Sequence, residues 1–283
     1  MTTSRLGWAA VPLLLLIASC AQRVDSGPGD GGAPPPYPAD ALVLRIDYTG
    51  GFVPAVVAAT RLPGVSVYGD GRVITQGPVP AIYPGPALPN LQVGGISTDE
   101  VSALVERARA AGVGSAVDLG RPSITDVRTT RFTIHGPAGT QELAVYALGE
   151  ATRPEAGLTA AQLAARAKLR AFAQTLTDPS GAPTSPYQPT ALVAVARPWV
   201  AGQDGLHHPE VPWPGPALPG AALGAGSELG CVTVTGAAVR PVLDAAARAN
   251  AATPWTFGGK RWAITLRPLL PDETDCASLP VDR

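Results

Sequence analysis

Apolar positions along this chain fall into two rhythms. Alternating β-formers occupy residues 41–48, which run into Gly50-Gly51. They recur at residues 65–68 and 72–75, on either side of Gly69-Asp70-Gly71, and β-formers flanking an Asp-Gly turn predict a hairpin. Residues 131–134 and 142–146, around the glycines at 136 and 139, predict a second hairpin. Helical spacing appears where Ser97 and the acidic Asp99 and Glu100 precede Val101, Leu104, Val105 and Ala108. An N-cap residue, early acids and an i, i+3, i+4, i+7 apolar stripe predict a helix ending near Gly112. Residues 158–176 read as a second amphipathic helix with Thr159 as its cap.

The second half repeats this outline. Residues 191–195 resemble the opening strand, and Cys231 begins an apolar strand over 231–235. Residues 239–249 correspond to the helix at 101–111, and Arg261 to Ile264 to the segment Arg131 to Ile134. The segment Trp213-Pro214-Gly215-Pro216-Ala217-Leu218-Pro219 matches Tyr83-Pro84-Gly85-Pro86-Ala87-Leu88-Pro89 at every position after the aromatic. The pattern predicts two diverged copies of a strand, Pro-rich crossing, helix and strand unit. Single helices between hairpins place the fold in the α+β class with antiparallel sheets. The first unit is expected at 39–178, a linker at 179–189, and the second unit with a C-terminal tail at 190–283.

The first 38 residues follow neither rhythm. Residues 1–7 are polar and carry Arg5, residues 8–17 are apolar, and Ala18, Ser19 and Cys20 follow. This is the layout of a secretory signal over residues 1–19, and its apolar run is short of the roughly 20 residues a membrane span needs. Residues 20–38 are rich in Gly and Pro and read as a flexible tether.

The sequence Leu16-Ile17-Ala18-Ser19-Cys20 resembles the lipobox of bacterial lipoproteins, with Ile17 where that family prefers Leu. The resemblance implies a diacylglycerol on the Cys20 thiol and cleavage before it. Over residues 65–89 and 249–272 the chain also resembles uncharacterised exported lipoproteins of high-GC Gram-positive bacteria. That likeness implies a protein held on the outer side of the cell membrane, and it brings no activity with it.

Composition narrows the chemistry. The 283 residues are 46% hydrophobic and only 15% charged, enough apolar surface for a core of small aliphatic side chains. Net charge is −1 with no basic stripe, which argues against a nucleic-acid partner. With Cys20 lipidated, Cys231 and Cys276 remain, and an even pair in an exported protein reads as a disulfide. A metal-binding or catalytic thiol lacks ligands at suitable spacing.

No nucleophile motif, phosphate loop or calcium loop appears, so no catalytic or metal residue and no cofactor is assigned. His135 ends a strand, and His207 and His208 are adjacent in a loop, where side chains diverge. Asp272, Glu273 and Asp275 are either a solvated tail or a weak calcium site. The two Pro-rich segments, with Tyr83 and Trp213, either present a stiff recognition surface or strap across their own sheets, burying Leu88 and Leu218. Trp255, Phe257, Lys260, Arg261 and Trp262 are either a binding face or the large side chains of a small β core.

The reading reached is a membrane-anchored lipoprotein that binds a small molecule or a protein through a cleft or face between its two units, without catalysis. An envelope hydrolase with scattered catalytic groups, and an inhibitor or scaffold acting through a flat face, are the alternatives.

Overall fold

A computed structural model describes residues 37–137, 139–177, 183–202, 205–224 and 226–280. Cys20 and the expected signal and tether, up to residue 36, lie outside the described residues. Residues 35–283 make one compact unit. It contains strands β1 (Leu42–Gly50), helix α1 (Ala55–Ala59), β2 (Val65–Tyr68), β3 (Arg72–Gln76), β4 (Leu91–Gly95), α2 (Thr98–Ala111), β5 (Arg128–Gly136), β6 (Gly139–Tyr146), α3 (Ala160–Thr177) and β7 (Ser185–Pro186). The second half adds β8 (Ala191–Pro198), β9 (Val211–Pro212), β10 (Ala221–Ala222), β11 (Gly230–Thr235), α4 (Val239–Ala246), β12 (Pro254–Phe257) and β13 (Lys260–Pro268). Helix and strand make up 23% and 32% of the described residues, an α+β protein with two sheets.

The first sheet has the order β6-β5-β1-β2-β3-β4-β7 and is antiparallel throughout. Both expected hairpins form, β2–β3 and β5–β6. Alternation assigns Val65 and Val67 to the face covered by α2 and α3, and Tyr68 to the opposite face. Helix α2 buries Val101, Leu104, Val105 and Ala108, the stripe its sequence spells. Its start is closed by a capping box: the Ser97 hydroxyl accepts from the Glu100 N–H, and the Glu100 carboxylate accepts from the Ser97 N–H. Its end is closed by Gly112 in the left-handed region. Thr159 and Gln162 make the same reciprocal pair at the start of α3.

The second sheet has the order β10-β11-β8-β13-β12-β9. It is mixed rather than wholly antiparallel, because the two-residue β9 pairs parallel to β12. One face packs on α4 and carries Trp213, Trp255 and Trp262; the other carries Val193, Val195 and Cys231.

The two halves share a plan, but their strand order differs. The central strands β1 and β8 each lie between antiparallel neighbours. After its helix, the first half sets the leading hairpin strand, β5, beside β1; the second sets the trailing strand, β13, beside β8. Where the first half sets the hairpin β2–β3 beside β1, the second sets β11 beside β8, with only the two-residue β10 paired antiparallel to it.

Elements are also exchanged across the joint. Helix α1 of the first half places Ala59 among Val193, Val195 and Leu269 of the second. Leu270 of the second half is buried with Leu62, Tyr68, Ile74 and Leu91 of the first. Ala87 and Leu88 pack against the second core, which Leu218 also covers. The second Pro-rich arm therefore lies on its own half, whereas the first crosses to the other. It is held there where the Ala251 N–H donates to the Gly85 carbonyl at 2.8 Å.

The stretch expected to be a linker is likewise tied on both sides. Ser185 and Pro186 pair with β4, the Tyr187 N–H donates to Leu91, and the Tyr187 hydroxyl donates to Leu269. Cys231 and Cys276 form a disulfide between β11 and the C-terminal tail.

Candidate binding cleft

β1 ends in Gly50-Gly51, at φ of 64° and 83°, a conformation that side chains with a Cβ rarely adopt. The chain turns there and projects Phe52, which is 92% exposed, before α1 begins. Val53 and Val57 beside it are also exposed. These three residues stand at the margin of a cleft of about 770 Å³, within the range of small-molecule sites, roughly 300–1,000 Å³.

Both halves build the cleft. Tyr48, Leu62, Pro86 and Ala87 come from the first, and Ala251, Ile264 and Leu266 from the second. Its position follows from the exchange at the joint, since the crossing arm closes one side and β13 lies beneath.

The charged residues of the cleft gather where β1 ends and β5 begins. Arg61 donates to the carbonyls of Tyr48 and Gly50 at 3.1 and 3.0 Å. Arg128 lies 4.4 Å from the Tyr48 ring centroid and 3.9 Å from the Glu150 carboxylate. The Asp126 carbonyl accepts from the Phe52 N–H. Two basic residues, Arg61 and Arg128, and two acidic ones, Asp126 and Glu150, thus lie at one end, while Leu62, Ile264, Leu266 and the prolines make most of the rest, with Thr60, Gln76 and Thr265 among them.

None of the three histidines lines this cleft. Among the described residues no group of three or more His, Cys, Asp or Glu is placed to hold a metal ion. The tail acids are engaged separately: Asp272 with Arg45 and Tyr68, Glu273 with Arg267, and Asp275 as the cap of the turn Cys276–Ser278.

The described residues also enclose further cavities. One, of about 780 Å³, lies where α2 and α3 leave β3 and β4 uncovered, over Thr75, Gln92 and Gly94. Thr177 and Thr184 line it and flank residues 178–182, which lie outside the described chain. Another holds only about 150 Å³ and is lined by Arg45, Asp47, Arg131, Arg267 and Glu273 among others. Burial pushes the Asp47 carboxyl above its ordinary range, against the pull of Arg131 and Arg45. Its Oδ1 is buried without a hydrogen-bond partner.

The residues singled out in the sequence do not form one surface. Trp213, Trp255 and Trp262 are 5%, 1% and 7% exposed and belong to the second core. Trp213 and Trp255 meet edge to face at 5.7 Å, and the indole N–H groups of Trp213 and Trp262 donate to the carbonyls of Pro216 and Phe257. As a binding face these three are therefore corrected to core: a small β layer needs its bulkiest side chains inside to fill it. Arg261 remains at the surface, paired with Glu210 at 2.6 Å and lying over Trp199. Tyr83 is 74% exposed on the crossing arm.

Sequence reasoning missed the cleft residues Phe52, Arg61, Arg128 and Glu150. The available signal was Gly50-Gly51 followed by Phe52 and Val53, an apolar pair at a turn where polar residues are usual.

No protein-family model, no curated protein and no solved structure matches the chain.

Proposed function

We propose that this protein is an extracytoplasmic lipoprotein, anchored to the membrane through Cys20, that binds a small ligand in the cleft at the joint of its two halves. The address rests on Leu16-Ile17-Ala18-Ser19-Cys20 and the Gly- and Pro-rich stretch after it. Two acyl chains hold a protein stably, at about 0.8 kcal/mol per buried CH₂. The disulfide Cys231–Cys276 agrees with an oxidising compartment. No helix among the described residues is long and apolar enough to cross a membrane.

The observation that carries the binding role is the cleft itself. It is of ligand size, its walls come from both halves, and exposed apolar side chains stand at its margin. Cys20→Ala tests the address. The parent chain should incorporate an alkyne palmitate analogue and partition into detergent, and the variant should do neither. Equal labelling of the two would overturn the anchor. Native mass spectrometry of the protein purified from its own envelope tests the cleft, with a non-covalent small molecule as the expected finding.

A further inference from the structure

We propose that the ligand is a single-chain amphiphile with an uncharged or zwitterionic head, its hydrocarbon tail in the cleft and its head at the Arg61–Asp126–Arg128–Glu150 end. This rests on the cleft being the binding site and names what it takes.

The first argument is the segregation of the lining. The charged groups cluster around the Gly50 end of β1: Arg61 is bonded to Gly50, Arg128 is stacked on Tyr48, and Asp126 is bonded through its backbone to Phe52. Away from them the lining is mainly Leu62, Pro86, Ala87, Ala251, Ile264 and Leu266, interrupted by Thr60, Gln76 and Thr265. A uniformly polar metabolite would leave that surface wet. A pure hydrocarbon would strip water from four charged side chains without replacing its hydrogen bonds.

The second argument is charge. Two cations and two anions at one end offer partners to both signs of a zwitterion or to the hydroxyls of a neutral head, and they favour no ion of a single sign.

The third is Phe52. With Val53 and Val57 it forms an exposed apolar lip continuous with the cleft. Such a lip gives a hydrocarbon chain contact while it passes from a bilayer into the protein.

The test uses residues 35–283, which form one compact unit, and 1-palmitoyl-lysophosphatidylcholine below its micelle concentration, followed by titration calorimetry. Palmitate and a cetyl trimethylammonium salt serve as anionic and cationic comparators. Saturable one-to-one binding of the lysophospholipid, tighter than either comparator, is expected. Phe52→Ser, at an exposed position that folding does not use, should weaken binding about tenfold. Ala87→Trp should abolish it by filling the cleft, and Ala251→Trp, on the second half's wall, repeats that test should the first variant not fold.

Absence of saturable binding by the folded parent protein overturns the amphiphile, as does binding that Phe52→Ser and both tryptophan variants leave unchanged. Preference for palmitate or for the cation overturns the neutral head. If lysophospholipid fails while the envelope-purified protein carries another small molecule that Ala251→Trp excludes, the amphiphile falls and the cleft stands. If it carries none, both fall.

Discussion

The Tyr68 hydroxyl donates a 2.7 Å hydrogen bond to the carboxylate of Asp272, 204 residues further along the chain. The same carboxylate accepts two bonds from the Arg45 guanidinium, at 2.8 and 3.0 Å. The C-terminal tail is thereby locked to the back of the first sheet, beside Leu270 in the core that both halves share.

Asp272 should make stability fall in acid. Burial alone would raise its carboxyl, but the Arg45 charge and the hydrogen bonds from Arg45 and Tyr68 outweigh burial and hold it below the usual carboxylate value. A depressed folded value means that the stabilisation is fully present above the unfolded carboxyl range and is lost as pH falls through the folded value. Asp272→Asn should cost roughly 2 kcal/mol at pH 7 and flatten the acid limb of a urea-denaturation series run between pH 7 and pH 3. An unchanged acid limb would contradict this role.

Arg267 is 2% exposed and meets Glu273 through two 2.7 Å bonds. Glu273→Gln leaves a buried guanidinium without its counter-charge and should destabilise by roughly 3–5 kcal/mol. Replacing both residues with Met should recover most of that loss, since the desolvation of two ions then disappears as well. A double-mutant cycle in guanidinium chloride measures it, and additive losses would refute the coupling.

The disulfide closes a loop of 45 residues. Cys231→Ser with Cys276→Ser should cost about 4 kcal/mol in the chain-entropy model. Hydrogen exchange should rise first in residues 269–280, which the bond, Asp272 and Glu273 hold down together. Uniform loss of protection across both sheets would show that the tail does not open separately.

Trp213 separates core from surface. Its burial against Trp255 makes Trp213→Ala a cavity mutation expected to cost about 3–5 kcal/mol. The thermal midpoint should drop by several degrees, whereas Phe52→Ser should leave it nearly unchanged. The reverse pattern would return Trp213 to the list of surface groups.

Much of the local structure was legible because it depends on neighbours in sequence. The stripe Val101, Leu104, Val105 and Ala108 with Ser97 before it, and the Asp-Gly turn between β2 and β3, need only a few residues of context. The cleft was not legible. Leu266 and Arg61 are remote in sequence, and no periodicity announces that a crossing arm will bring them to one cavity. The aromatic cluster misled in part because Trp255 and Trp262 face each other across a hairpin whether that hairpin is exposed or covered.

The chain by itself determined the α+β class, the hairpins, the helix caps and the cysteine pair open to oxidation, because short-range sterics, side-chain period and capping chemistry act within a few residues. Tertiary structure alone decided that the first Pro-rich arm lies on the opposite half, that Trp213, Trp255 and Trp262 are core, and that Phe52 stands at the lip of a cleft. Those outcomes depend on which apolar faces meet when the two sheets dock, and hydrophobic burial carries no directional preference that a local pattern could record.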